Sequence, residues 1–304
     1  MGARPAIGLA LGALLTGLGM RLTWVAAPGW LGDRLRHALG RPGSPLGLAG
    51  VGLVAAALVH SSSVVSVATL TLVGARRLSS AQGLAVVLGA NLGTTLTGQL
   101  VSLAQRVDPG PALLAIGIAL AFAGPHRPMA ALLVSFAALV EGVELLSWSL
   151  AALAGEAVAG WLEAAGSQQG PVVCFFAGWA VTAIVQSSTV VTTTVVSLAA
   201  SGLVRSPAAV GLVLGSNVGT ATTGLLASLL LGRQARRLAV LDLLSNLVAA
   251  WVLTLASGPV VAALEWVDPR PERVAANAHS LLNLCTLVAL LPWVHRLGRW
   301  VERD

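Results

Sequence analysis

HSSSVVSVATLTLVGARRLSSAQGLAVVLGANLGTTLTG, His60 to Gly98, aligns without a gap, 126 positions on, to QSSTVVTTTVVSLAASGLVRSPAAVGLVLGSNVGTATTG, Gln186 to Gly224, with 14 of the 39 pairs identical. The identities gather in the Ser-Ser steps (Ser61, Ser62 and Ser187, Ser188) and in the L-G-x-N-x-G-T blocks (Leu88 to Thr94 and Leu214 to Thr220). A duplication that keeps small hydroxyl residues, glycines and one asparagine inside otherwise apolar sequence preserves a binding site more than a core. The pattern reads as a membrane transporter built from two related halves.

Composition points the same way. The chain has 304 residues, 56% of them hydrophobic and 10% charged, with a mean hydropathy of +0.85. Its repeated apolar stretches have the length of about 20 residues needed to cross ~30 Å of hydrocarbon. The fold class is therefore an all-α polytopic membrane protein. The net charge of +6 comes from arginines lying between apolar segments, with no basic stripe or interleaved aromatics, so nucleic acid is not a partner and the lipid bilayer is. Cys174 and Cys285 sit in apolar sequence with no metal-ligating neighbours and read as packing residues.

Crossings are expected at about 6–28, 81–105, 111–124, 129–153, 208–231, 238–257 and 274–294. Segments 46–75 and 171–204 are instead interrupted midway by the serine tracts. They fit re-entrant helical hairpins, because irregular backbone at membrane depth is tolerated where protein encloses it. The whole chain, 1–304, then forms one transmembrane transport domain, with repeat 1 at about 8–107, repeat 2 at about 131–233 and a C-terminal helix pair at about 238–294. Each repeat carries a hairpin and a transmembrane helix expected to break at its Asn-Gly block.

Charge bias gives an orientation. With the N-terminus outside and the C-terminus cytoplasmic, 12 arginines fall on the inside, among them Arg76, Arg77, Arg233, Arg236 and Arg237, against five on the outside. This positive-inside pattern gives the two repeats opposite orientations. Inverted repeats with interrupted helices meeting at the midplane are a recurring plan of secondary transporters.

A helix interrupted inside the bilayer exposes N–H groups at one new end and C=O groups at the other. The hydroxyls of Ser61, Ser62, Ser63, Ser187, Ser188 and Thr189, with His60 and Gln186 beside them, add donors to such N–H groups and suit an oxyanion. Exposed carbonyls with Asn91, Thr94, Thr95, Asn217 and Thr220, where Gly93 and Gly219 permit close backbone approach, offer hard oxygen ligands for a small cation. An anion travelling with an alkali cation is the occupancy this chemistry implies.

At these residues the sequence resembles the type II sodium/phosphate cotransporter family, whose Q-S-S-S step and G-A-N-x-G-T-T block are duplicated in inverted halves. Gly17 to Leu22 resembles the family's opening helix, and Ala275 to Leu284 its closing A-N-A-H-T-x-F-N signature. The resemblance implies sodium-coupled uptake of inorganic phosphate across the cell membrane, with the two hairpins forming the substrate site, sodium as coupling ion and no other cofactor. The chain departs from the pattern at His60, where the family usually has Gln, and at Asp242, where it would have His; a PhoU-like domain is not expected after Asp304. A neutral imidazole donates and accepts like an amide and also titrates near neutrality.

Arg21, Glu141, Glu144 and Asp242 lie in apolar runs, where a charge faces a cavity, a partner or the interface. Arg21 and its repeat mate Glu144 suggest an ion pair, Asp242 a carboxylate able to complete a cation site, and His279 with Asn283, one turn apart, a hydrogen bond supporting the hairpins. An intramembrane serine hydrolase would need a base beside each serine, but the second copy has Gln186 and no G-x-S-x-G elbow is present. The chain is therefore expected not to be an enzyme. Hydroxyl and amide donors recognise tetrahedral oxyanions generally, so a cation-coupled transporter of sulfate, arsenate or a carboxylate is the alternative.

Overall fold

The structure, a computed structural model, describes residues 44–104, 110–122 and 170–303, together with shorter stretches within 4–18 and 130–149. Every regular element among the described residues is helical. In chain order these are α1 (Pro45–Val59), α2 (Ser62–Gly74), α3 (Ser80–Ala104), α4 (Gly110–Phe122), α5 (Gly170–Val185), α6 (Ser188–Ala200), α7 (Ser206–Ser228), α8 (Arg233–Leu255), α9 (Ser257–Val267), α10 (Pro271–Leu290) and α11 (Val294–Glu302). Helices α3, α7, α8 and the run from Pro271 to Glu302 are long and apolar enough to cross a membrane. The protein is an all-α, polytopic membrane protein. Of the first expected crossing, Ala6–Leu15 is helical, whereas Arg21 and Glu144 lie outside the described residues.

Both interrupted segments are helix pairs with the same turn. Helix α1 is closed by His60 in the left-handed region (φ 53°, ψ 29°) and α2 opens after Ser61, which is extended (φ −156°, ψ 112°). Helix α5 is followed by Gln186 at φ 58° and α6 opens after Ser187 at φ −144°, ψ 103°. In each case the serine Oγ accepts the N–H of the third residue of the new helix, Val64 N at 3.4 Å and Val190 N at 3.3 Å. Left-handed backbone costs a residue with a Cβ about 1–2 kcal/mol. Two such residues at equivalent places mark a turn required by the fold rather than a local accident.

The long helices correct one expectation. Helices α3 and α7 run unbroken through their Asn-Gly blocks, and Thr94 Oγ1 and Thr95 Oγ1 merely return to the Asn91 and Leu92 carbonyls (2.9 and 2.8 Å). The glycines there serve packing. A Cβ at Gly89 would stand 1.8 Å from Ala49 O and one at Gly93 2.2 Å from Leu53 O; at Gly215 it would stand 1.8 Å from Phe175 O and at Gly219 2.5 Å from Thr182 Cβ. Four-residue spacing puts both glycines of a block on one helix face, so α1 lies backbone-to-backbone on α3, and α5 on α7. The same G-x-x-x-G spacing that suggests a break is a contact stripe here.

The C-terminal part holds two short helices that the sequence reading did not anticipate, α9 and α11. Gly298 of α11 meets Ala81, and Glu302 Oε1 accepts from Ser80 N at 2.8 Å, placing a carboxylate at the N-terminus of α3. At the other end of α3, Arg273 donates to Gln99 Oε1 and Ser102 Oγ, both at 2.8 Å. Nearby, Arg270 pairs with Asp268 and holds its carboxyl down at about 2. Cys174 is buried against Gly211, whereas Cys285 is exposed on α10, so only the first has the packing place expected of both.

Close backbone contact makes a direct prediction. Gly215→Ala should destabilise the purified protein by about 1–3 kcal/mol through overpacking, whereas Gly50→Ala, whose added Cβ meets nothing within 4 Å, should leave thermal unfolding in detergent unchanged or raised. Equal melting temperatures for the two variants would contradict the backbone contact.

Candidate functional site

The two hairpin turns meet. Thr189 Oγ1, in the first turn of α6, donates to the carbonyl of His60 at 2.7 Å, and His60 Nδ1 is 2.9 Å from Thr97 Oγ1 on α3. The His60 ring also stacks on Phe136, with centroids 5.5 Å apart. His60, Ser61, Ser62, Ser188 and Thr189 are buried, Ser63 and Ser187 half-buried and Gln186 exposed. The two turns are alike in backbone but not in setting, since the imidazole is enclosed and the amide open. Two helix N-termini, each with a serine oxygen already capping the N–H of its third helical residue, therefore stand side by side. Serine hydroxyl hydrogens and the remaining N–H groups of those first turns are the donors, with the positive poles of both helices behind them.

A buried polar network lies beside the turns. Asn91 Nδ2 donates to Asp242 Oδ1 at 3.0 Å. Asn246, one turn after Asp242 on α8, donates Nδ2 to both Asp242 O and Asp242 Oδ1 (2.8 and 2.9 Å), and its Oδ1 accepts from Asn217 Nδ2 at 2.5 Å. Asn217 Oδ1 in turn meets His279 Nε2 at 3.3 Å and Asn283 Nδ2 at 3.2 Å. Asp242, Asn246, His279 and Asn283 are all buried. Charged and amide groups so enclosed are stable only when hydrogen-bonded. In each half the repeat asparagine reaches an i, i+4 pair on a C-terminal helix: Asn91 meets Asp242 of the Asp242–Asn246 pair, and Asn217 meets His279 of the His279–Asn283 pair.

The residues expected to hold a cation are thus only partly assembled for it. Asn91, Thr94 and Asp242 bring amide, hydroxyl and carboxylate oxygens to one region of α3 and α8, which is the donor set a small hard cation requires. Asn217 is different, because its Oδ1 already accepts two hydrogen bonds and its Nδ2 donates to Asn246. Thr220 Oγ1 donates to Ser216 O at 3.3 Å. Gly93 and Gly219 are engaged in helix contacts, and with α3 and α7 continuous, no broken-helix carbonyls are offered to a cation. Asn246 was missed by sequence reasoning. The equal spacing of Asp242–Asn246 and His279–Asn283 was the signal available to find it. Thr97, identical to Thr223 across the duplication, was legible as a hydroxyl near the Asn-Gly block and a candidate cation ligand, but not as the partner of His60.

Comparison with known proteins bears on this arrangement. The Na+/Pi-cotransporter family model matches twice, over residues 14–147 and again over 138–261. The chain is 27% identical to "Uncharacterized protein YqeW" of Bacillus subtilis over 262 residues, 83% of this chain and 82% of that protein. It is also 27% identical, over 282 residues, to "Putative inorganic phosphate export protein YjbB" of Salmonella typhimurium, covering 90% of this chain and 50% of the relative. The YjbB protein of Escherichia coli O157:H7 gives the same identity over 281 residues, so the chain spans about half the length of both YjbB proteins. No solved structure matches. With both halves matched, and the paired serine turns and asparagine helices that carried the resemblance found as equivalent structures, the chain belongs to the Na+/Pi-cotransporter family.

Proposed function

We propose that this protein is a secondary transporter that carries inorganic phosphate across the cell membrane, coupled to sodium, by alternating access between two inverted halves. The observation that carries the reading is the meeting of two serine-capped helix N-termini, through Thr189 and the His60 carbonyl, beside a buried network that contains one carboxylate. The first supplies donors and positive poles for an oxyanion; the second supplies oxygens for a cation. Family membership and two separate matches of the family model, one to each half, support the same reading. Gly74 at the end of α2 meets the Leu231 carbonyl just past α7, and Arg237 joins Val301 O at 3.2 Å. These contacts gather Arg76, Arg77, Arg233, Arg236 and Arg237 at one end of the bundle, which fits the cytoplasmic assignment from charge bias and a cytoplasmic C-terminus. No cofactor beyond the coupling ion enters this reading.

His60 acts in it as a pin. Its ring is packed on Phe136 and held by Thr97, so that the main-chain carbonyl is fixed where Thr189 can bond to it. The names of the YjbB relatives favour a second reading, in which net flux is outward. Proteoliposomes loaded and diluted to impose a sodium gradient in either sense, with labelled phosphate on one side, decide between them: concentrative movement down the inward sodium gradient supports uptake, and phosphate efflux indifferent to sodium supports export.

Two variants test the assignment of residues. Ser62→Ala or Ser188→Ala removes a hydrogen bond to a charged ligand, worth about 1.5–3 kcal/mol, and should raise the apparent phosphate constant about tenfold or more without altering expression or melting. Wild-type affinity in both would remove the hairpin turns from the substrate site. Asn91→Ala should instead shift the sodium activation curve to higher concentration while changing phosphate affinity at saturating sodium by less than about threefold. A sodium curve overlaying the wild type would separate Asn91 from the cation.

A further inference from the structure

The polar network has a direction, and the direction ends on an unused atom. The main-chain carbonyl of Asp242 and its carboxylate can only accept, and Asn246 Nδ2 donates to both (2.8 and 2.9 Å). Asn246 must therefore turn Oδ1 outward, where Asn217 Nδ2 donates to it at 2.5 Å. That orients Asn217 Oδ1 toward α10, where Asn283 Nδ2, itself fixed by donating to His279 O at 2.9 Å, donates to it at 3.2 Å. His279 Nε2, 3.3 Å from the same oxygen, must carry its hydrogen to bond there. In the neutral ring the lone pair is then on Nδ1.

That Nδ1 is buried and has no hydrogen-bond partner among the described residues, and the same holds for Thr192 Oγ1 on α6. Both residues are 1% exposed. Both border one spot: a Cβ on Gly98 would stand 3.6 Å from Thr192 Cγ2 and 4.0 Å from His279 Nδ1. Thr192 lies one helical turn beyond Ser188, and Gly98 follows Thr97, the residue that holds His60. An orphaned acceptor and an orphaned hydroxyl thus belong to two residues that border Gly98, whose missing side chain leaves room for about one methyl group at the side of the serine turns. The acceptors at the turns, the His60 carbonyl and the two capping serine oxygens, already receive donors, whereas a buried lone pair without a donor is costly.

We propose that His279 Nδ1, assisted by Thr192 Oγ1, accepts the hydrogen bond of the P–OH group of the transported oxyanion, and so selects an anion that carries a proton over one that does not. The inference rests on the phosphate reading above and adds a basis for specificity. Inorganic phosphate and arsenate keep at least one O–H near neutrality. Sulfate keeps none and would face Nδ1 with an oxygen lone pair. A site built to bond a substrate hydroxyl rejects the analogue lacking it, because its own polar group is left unpaired. Asp242, Asn246 and Asn217 act here as positioning residues, holding the His279 tautomer.

The experiment is competition with labelled phosphate uptake by the full chain in proteoliposomes, at fixed pH 7.5 and saturating sodium. Arsenate should compete within a few-fold of phosphate. Sulfate and monofluorophosphate, in which fluorine replaces the hydroxyl on an otherwise matched tetrahedral anion, should be weaker by about tenfold or more. In Thr192→Val the gap between phosphate and monofluorophosphate should narrow. In Gly98→Ala, whose methyl fits at ordinary contact distance but takes up the space beside His279 Nδ1, phosphate affinity should fall about tenfold while sulfate and monofluorophosphate inhibition changes little. Monofluorophosphate competing as well as arsenate, in a protein that takes up phosphate, overturns this inference alone. Failure of the wild type to move phosphate at all overturns the transport reading and this inference with it.

Discussion

Inside a bilayer a main-chain N–H or C=O that finds no partner costs several kcal/mol, and that constraint shapes each part of this protein. A chain that enters the membrane and turns back must end one helix and begin another without water to repair the ends. The solution occurs twice: a left-handed residue, His60 or Gln186, stops the first helix, and an extended serine starts the second by accepting its N–H. The N–H groups at the two starts are donors of the kind an oxyanion satisfies. The serine turns are thus the answer to a folding problem, solved with the protein's own groups.

The second half of the design is the polar network. Asp242 stands at the centre of three amide contacts, and its acceptor-only character sorts the orientation of Asn246, then Asn217, then His279. The main-chain carbonyl of residue 242 fixes Asn246 whatever the side chain, and the carboxylate adds a second acceptor that holds the same orientation. An acceptor pair on α8 therefore reaches, by hydrogen-bond direction alone, a ring on α10. Such a chain also explains why four asparagines and one histidine can be enclosed among apolar helices: each finds a partner on a neighbouring helix.

How far the sequence could be read depended on whether a residue's meaning was local. The hairpins were legible because Ser61–Ser62 and Ser187–Ser188 interrupt apolar segments too long for one strand of turn and too short for two crossings. The Asn-Gly blocks were read as breaks, and the structure shows continuous helices, because glycine at four-residue spacing serves an interruption and a contact equally well; only the partner, Ala49 or Phe175, decides. The pairing of Asn91 with Asp242 joins positions 151 residues apart, beyond any local pattern. Helix α11 resembled a charged tail, since its apolar residues Val294 and Val301 acquire meaning only against α3 and α8.

The glycine stripes also bear on mechanics. Where added methyl groups would fall within 2.5 Å of neighbouring backbone or Cβ atoms, two helices cannot slide, because each displacement runs one chain's carbonyls into the other. Helices α1 and α3, and likewise α5 and α7, behave as stiff plates. The contacts between the plates include a threonine hydroxyl on a carbonyl and amides on one another, which are hydrogen bonds rather than interlocked backbone. Compliance is then concentrated at the meeting of the two serine turns, so thermal agitation is channelled into one soft coordinate rather than spread through the fold.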